Sequence, residues 1–239
     1  MLDVNPIQRM ESRAPMIEFR NVSFSLNGIN FLDDVSFQMG DEEFVFLVGG
    51  TGSGKTMLVR LISMDARPTT GTVRVGIYNS DTIRPKDLPH LRRQIGIILQ
   101  DNRFLDDRSV HENAALPLYV AGRKRSEIKA RVAYLLDDVG LTQRTDDLPT
   151  QLSAGERQRL ALARALVYDP LILLADEPTG NLDPPTELEI LNLLKRINAK
   201  GIGVLIATHN YELVKRIPAR IVQLKDGKLL EVELKTEAE

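Results

Sequence analysis

Residues 44–64, FVFLVGGTGSGKTMLVRLISM, decide how the rest of the chain is read. Phe44–Val48 is a short, wholly apolar run of Phe, Val and Leu, which predicts a strand buried on both faces. Four glycines follow within six residues, and Met57 to Met64 carries helical spacing. In that context Gly49-Gly50-Thr51-Gly52-Ser53-Gly54-Lys55-Thr56 fits the G-x-x-x-x-G-K-[ST] pattern of a phosphate-binding loop. At a glycine frequency of about 7%, chance gives this pattern in roughly one chain of this size in a hundred. The glycines let successive N–H groups converge on phosphate oxygens at a helix N-terminus. Lys55 would neutralise the β- and γ-phosphates, and Thr56 would coordinate Mg²⁺.

Outward from this stretch, the runs IGIIL (95–99), LILLA (171–175) and GVLIA (203–207) are likewise strand-sized and continuous, and helical patterns separate them. That alternation predicts an α/β fold with a parallel sheet. Ile17 to Leu26 and Val35 to Met39 read as antiparallel strands with a turn at Asn27-Gly28. From Val110 to about Val167 the pattern is mostly helical. One helix there has Ser126 as its N-cap, the stripe Ile128, Val132, Leu135, Leu136 and Val139, and Gly140 as its stop. Another follows Asp183, with Pro184 or Pro185 in its first turn and Ile190, Leu191, Leu194 and Ile197 buried. The expected architecture is a P-loop NTPase (RecA-like) core built from 16–100 and 166–235. It carries an antiparallel β-subdomain near the N-terminus and an inserted α-helical subdomain at 101–165. Residues 1–15 and 236–239 are expected to be tails, the first of them mobile.

Composition narrows the function. The 239 residues carry 31 Lys and Arg against 33 Asp and Glu, a formal charge of -2. A protein held on nucleic acid by excess positive charge is disfavoured by that balance, and the run Arg123-Lys124-Arg125 reads as a solvated face. The absence of cysteine excludes disulfides, thiolate catalysis and Cys-ligated zinc. No apolar run approaches the roughly 18 residues of a bilayer span, and the N-terminal stretch lacks the apolar segment of a signal peptide. A membrane role is therefore expected only through a partner.

Three further places carry chemistry. Asp176-Glu177 ends the run 171–175, where ligands of open α/β sheets bind. Strand alternation would point the two carboxylates to opposite sides, leaving Asp176 for the Mg²⁺ shell and Glu177 to polarise an attacking water. Ser153 and Glu156 form an S-x-x-E capping box opening a helix over Arg157 to Val167. The same helix start, beside Gly155, offers N–H groups and a hydroxyl to a phosphate. His209 follows the strand 203–207, whereas His90 and His111 read as loop or surface residues.

LSAGERQRLALARAL (152–166) resembles the signature motif of ABC ATPases, and GGTGSGKT with LILLADEP supplies the family's other two markers in their usual order. Gln100 resembles the Q-loop glutamine, Asn181-Leu182-Asp183 the D-loop and His209 the switch histidine; the likeness spans about Met16 to Gly227. It implies a homodimer closing around two ATP. Ser153 and Gly155 of one chain would face the γ-phosphate on the other chain's loop, Gln100 would touch Mg²⁺ and sense an integral membrane partner, and His209 would bind the γ-phosphate. Asp183 takes the D-loop role beside its N-cap role. Where the family places an aromatic residue on adenine, the spacing puts Leu26, with Phe24 and Phe31 nearby. Ala154 and Glu156 depart from the usual LSGGQ. Within the family, LRRQIGIILQDNRFLDDRSVHENAALPL (91–118) resembles the branch that serves cell division, with lipoprotein-release and macrolide-export ATPases as the near alternative. A nucleic-acid-acting member is the alternative from another class, and neither the charge balance nor the helical stretches support it.

Overall fold

The computed structural model describes residues 15–232. The expected tails, 1–15 apart from Pro15 and 236–239, lie outside the described residues. The chain begins with β1 (Ile17–Leu26), β2 (Ile29–Met39), β3 (Phe44–Val48), α1 (Lys55–Ile62), β4 (Thr70–Val75) and β5 (Tyr78–Asn79). Next come α2 (Leu88–Gln94), β6 (Ile95–Ile98), α3 (Val110–Val120), α4 (Arg125–Asp138) and α5 (Ala154–Ala165). The last elements are β7 (Ile172–Asp176), α6 (Pro184–Asn198), β8 (Gly203–Thr208), α7 (Tyr211–Val214), β9 (Arg220–Lys225) and β10 (Lys228–Val232).

Two sheets carry the fold. One is four-stranded and antiparallel, in the order β2-β1-β4-β5; the other runs β10-β9-β3-β8-β7-β6. All neighbours in the second are parallel except β10 on β9. Period-two alternation explains why its strands are apolar throughout. Phe46, Val48, Leu173, Ala175, Val204 and Ile206 face the core shared with α3, α4, α5 and α6. Val45, Leu47, Ile172, Leu174, Leu205 and Ala207 face the core shared with α1 and the antiparallel sheet.

The expected α/β architecture holds, with local corrections. β2 starts at Ile29, directly after the turn, because Asn27 (φ 52°) and Gly28 (φ 79°) both take the left-handed conformation of a tight hairpin. The helix expected to start after Ser126 starts at Arg125, with Lys124 as an N-cap that supplies no side-chain bond. Gly122 (φ 68°) has already turned the chain out of α3, and residues 123–127 are exposed, so water meets the free N–H groups. Its stripe and its stop at Gly140 (φ 74°) are as expected. The signature helix begins three residues before Arg157, at Ala154, because the capping box satisfies the N–H groups there. His90 lies exposed on α2, a surface residue as expected, and His111 is half-buried on α3, a helix rather than a loop.

Register positions the chemistry. Asp176 pairs with Ala207, and Ala207 with Leu47. The carboxyl ends of β3, β8 and β7 therefore stop in one row, and the segments leaving them share one edge.

Candidate nucleotide site

The loop leaving β3 is shaped by what glycine permits. A Cβ on Gly49 would sit 2.6 Å from the Leu224 carbonyl oxygen, and Gly54 caps α1 at φ 105°, 3.2 Å from the Phe31 carbonyl oxygen if it carried a Cβ. Lys55 opens the helix, is 6% exposed, and donates from Nζ to the carbonyl oxygens of Gly49 (2.8 Å) and Gly50 (3.2 Å). Ser53 N donates to Gly50 O, while Ser53 Oγ is buried without a hydrogen-bond partner. Thr51 and Gly52 are exposed. A buried orphan hydroxyl and an amine folded back on its own loop are donors that suit a phosphate group.

Thr56 Oγ1 donates to Asp176 Oδ2 at 2.7 Å. Burial pushes the Asp176 carboxyl above its ordinary value; the Thr56 hydrogen bond opposes that shift and the charge of Glu177 adds to it. A hydroxyl and a carboxylate in contact are hard oxygen donors of the kind Mg²⁺ takes alongside phosphate oxygens. The residues fit that ion.

Glu177 is where the sequence expectation needs correction. Its separation from Asp176 does not come from strand alternation, because β7 ends at Asp176 and Glu177 turns out with φ 49°. Its backbone N–H donates to Ala207 O at 2.8 Å. Its carboxylate then meets Lys55 Nζ at 3.5 Å, His209 Nδ1 at 2.8 Å and the Thr208 hydroxyl at 3.2 Å. Lys55, Thr56, Asp176, Glu177 and His209, scattered over 155 positions of sequence, are thus one connected cluster. Gln100 is exposed just after β6 and lines a cavity of about 660 Å³ together with Thr56 and Asp176. It also borders a second cavity that Ala154, Glu177 and Asn181 share.

Ser153 and Gly155 bond within their own surroundings and, among the described residues, make no hydrogen bond to this cluster. Ser153 Oγ accepts from Glu156 N at 3.2 Å, and Ser153 N donates to Glu156 Oε2 at 2.8 Å. The box uses a lone pair of the hydroxyl, whose proton can rotate toward the Glu156 carboxylate or toward an acceptor outside. Gly155 is buried rather than presented outward, and a Cβ there would lie 2.5 Å from Thr186 Cγ2. Asp183 caps α6, accepting from Thr186 N (3.1 Å) and Thr186 Oγ1 (2.7 Å); the side-chain bond leads in holding its carboxyl below the usual range. Leu26 sits 41% exposed at the hairpin tip, opposite Ile29. Phe31 and Leu224 border the phosphate loop: a Cβ on Gly54 would lie 3.2 Å from the Phe31 carbonyl oxygen and 3.4 Å from Leu224 Cδ2.

Sequence reading passed over Thr208, Thr179, Asn210 and Glu187. The last had a signal: Glu187 falls on the 187-190-191-194 spacing of the apolar stripe, where a carboxylate calls for a partner.

The fold and this site together define a nucleotide-binding cassette. The ABC transporter family model matches residues 32–180. The chain belongs to that family. It is 45% identical over 202 residues to the cell division ATP-binding protein FtsE of Mycobacterium tuberculosis, covering 84% of this chain and 88% of that one. It is 43% identical over 215 residues to FtsE of Escherichia coli K12, covering 90% and 97%. Among solved structures, an ATP-binding cassette in a dimeric post-hydrolysis state bound to ADP and Pi superposes with TM-score 0.81 at 32% identity, covering 92% and 99%. The cbiO1 protein of Clostridium perfringens, part of the ABC transporter complex cbiONQ, gives 0.84 at 27%, covering 91% and 88%.

Proposed function

We propose that the chain is the ATP-hydrolysing subunit of a cell-division machine, working as a homodimer at the inner face of the plasma membrane on an integral membrane partner of FtsX type. The observation that carries the ATPase reading is Glu177, whose backbone N–H is held by Ala207 O and whose carboxylate lies between Lys55 and His209 beside the Thr56–Asp176 pair. The names and the dimeric state of the relatives support the biological setting. No helix among the described residues is long and apolar enough to cross a membrane, so the membrane role is assigned to the partner. The division of the chain at 101 and 165 belongs to the same reading, with α3, α4 and α5 as the arm bearing Ser153.

In this reading the Gly49–Thr56 loop binds the phosphates, and Lys55 exchanges its carbonyl partners for phosphate oxygens. Thr56, Asp176 and Gln100 would hold Mg²⁺, which when bound neutralises charge developing on the phosphates. The exchange at Lys55 frees Glu177 from an ion pair. Its carboxylate then orients water toward the γ-phosphorus; the oxygen bonds to phosphorus as one water proton passes to the Glu177 carboxylate, the bond to the β–γ bridging oxygen breaks, and ADP leaves. His209 binds the γ-phosphate, with its Nδ1 set against Glu177. Ser153, Gly155 and Asp183 complete the site across the dimer: Ser153 by its hydroxyl proton, Gly155 by letting the helix start pack close, Asp183 by fixing the facing turn. Leu26 covers adenine by apolar contact alone, so selection of the base is weak.

Glu177→Gln tests the assignment. The variant should bind Mg-ATP, lose about a hundredfold or more in kcat, as removal of a general base does, and accumulate as a dimer on size exclusion with Mg-ATP. Hydrolysis near the wild-type rate would overturn it.

A further inference from the structure

The Glu187 carboxylate is 8% exposed, and the mechanism above does not use it. Its Oε1 accepts two hydrogen bonds, from Thr179 Oγ1 at 3.0 Å and from Asn210 Nδ2 at 2.8 Å. Thr179 lies two residues beyond Glu177, and Asn210 directly follows His209. Glu187 itself sits in the first turns of α6, its N–H bonded to the carbonyl of the cap Asp183. One buried oxygen therefore ties together three segments, those bearing Glu177, His209 and Asp183.

The tie matters because it adds α6 to the bonds that already join the two loops, from Glu177 N to Ala207 O and from the Glu177 carboxylate to Thr208 Oγ1 and His209 Nδ1. Glu177 leaves its strand in a left-handed turn, with φ 49°. Asn210 takes both ends of the link: its Oδ1 accepts from Leu213 N to cap α7 (3.1 Å), its N–H donates to Thr208 Oγ1 (3.1 Å), and only its Nδ2 reaches Glu187. The burial of a carboxylate is tolerated where hydrogen bonds converge on it and a helix N-terminus faces it.

We propose that Glu187 is a positioning residue for hydrolysis: through Thr179 and Asn210 it fixes the loops that aim Glu177 and His209, and it links their placement to the α6 start at Asp183. The inference rests on the catalytic reading of Glu177. The nucleotide is not touched by Glu187, so binding should survive its loss while turnover falls.

The experiment measures steady-state ATPase activity and fluorescent-ATP binding on purified full-length variants, with Glu177→Gln run in parallel. Glu187→Met removes the acceptor at similar volume and should lower kcat by about tenfold or more, since small misplacements of catalytic groups cost up to about a hundredfold, with KM within about threefold. Glu187→Gln keeps an acceptor oxygen and should recover most of the rate. Asn210→Asp keeps the α7 cap but loses the donor and sets two carboxylates together, so it should also be slow. Combining Asn210→Asp with Glu187→Gln rebuilds the bond with donor and acceptor exchanged and should restore turnover. This pair decides the matter even if Glu187→Met fails to fold. A change in kcat below about twofold in Asn210→Asp, or a loss that the double variant does not recover, overturns the proposal. If Glu177→Gln stays active, the reading of Glu177 is what has failed.

Discussion

In the loop 49–56 the polar groups are left to fend for themselves: Lys55 folds back onto the carbonyls of Gly49 and Gly50, and the Ser53 hydroxyl has no partner. At the starts of α5 and α6 the reverse is true. Ser153 and Glu156 satisfy each other's backbone N–H groups, and Asp183 accepts twice from Thr186. Both regions are suited to negative charge by the physics of helix N-termini. The difference teaches that the first is finished by its ligand and the second is finished before any ligand arrives. Substitutions should therefore divide, with losses of binding in the loop and losses of stability at the helix starts.

The largest effect is expected in the loop. Lys55→Ala removes an amine that can make charge-assisted hydrogen bonds worth about 1.5–3 kcal/mol each. At about 1.4 kcal/mol per tenfold, two such bonds, about 3–6 kcal/mol together, put the loss of ATP affinity between about a hundredfold and about ten-thousandfold. Titration with a fluorescent ATP analogue measures it, and thermal unfolding should shift little. A variant that binds normally but unfolds early would invert the comparison.

Next is the contact between the two helix starts. Gly155→Ala drives a methyl to within 2.5 Å of Thr186 Cγ2, whose rotamer is fixed by the bond from Thr186 Oγ1 to Asp183. Overpacking of this kind costs about 1–3 kcal/mol, visible as an earlier urea midpoint. Thr186→Ser deletes the clashing methyl while keeping both bonds to Asp183, so the double variant should recover most of the loss. Additive costs would mean that the two residues are not in contact.

The cap itself separates stability from chemistry. Ser153→Ala should cost about 1 kcal/mol of folding free energy, as loss of an N-cap does. Ser153→Asp keeps the cap and should unfold like the wild type, yet lose ATPase activity because a carboxylate would face the phosphate. If both variants keep full activity, the hydroxyl proton of Ser153 has no role in the site.

The smallest effect is a pH dependence. The Glu156 carboxyl is held below its usual range, first by the Ser153 backbone N–H, then by the Ser153 hydroxyl and Arg144. A group depressed in the folded state adds stability that is present above its unfolded value, about 4.3, and is lost as pH falls through the lower folded value. The stability advantage of wild type over Glu156→Gln should therefore shrink as the pH of urea titrations drops from about 6 toward 3. A difference that stays constant with pH would show that the box works through its geometry alone.

Local rules made much of this legible in the sequence. The strand–loop–helix at 44–62, the boxes at Ser153 and Asp183, and the Ile128 to Val139 stripe each rest on neighbours a few residues apart. What stayed hidden was decided by distant packing. Strand alternation predicts that the Asp176 and Glu177 side chains part, and they do so for another reason, since Glu177 is a left-handed residue held by Ala207 O. Ser126 looked like a cap, but Gly122 turns the chain early enough for an exposed start at Arg125. Phe31 was weighed as a ring near the base, and it is its carbonyl that abuts Gly54.

The contact of Gly155 with Thr186 also bears on how such a chain can change over descent. While position 186 carries a β-methyl, a side chain at 155 meets a collision, so an exchange at 155 costs less once 186 is smaller. The two positions lie 31 apart in sequence and belong to separate motifs, yet a change at one sets the cost of a change at the other.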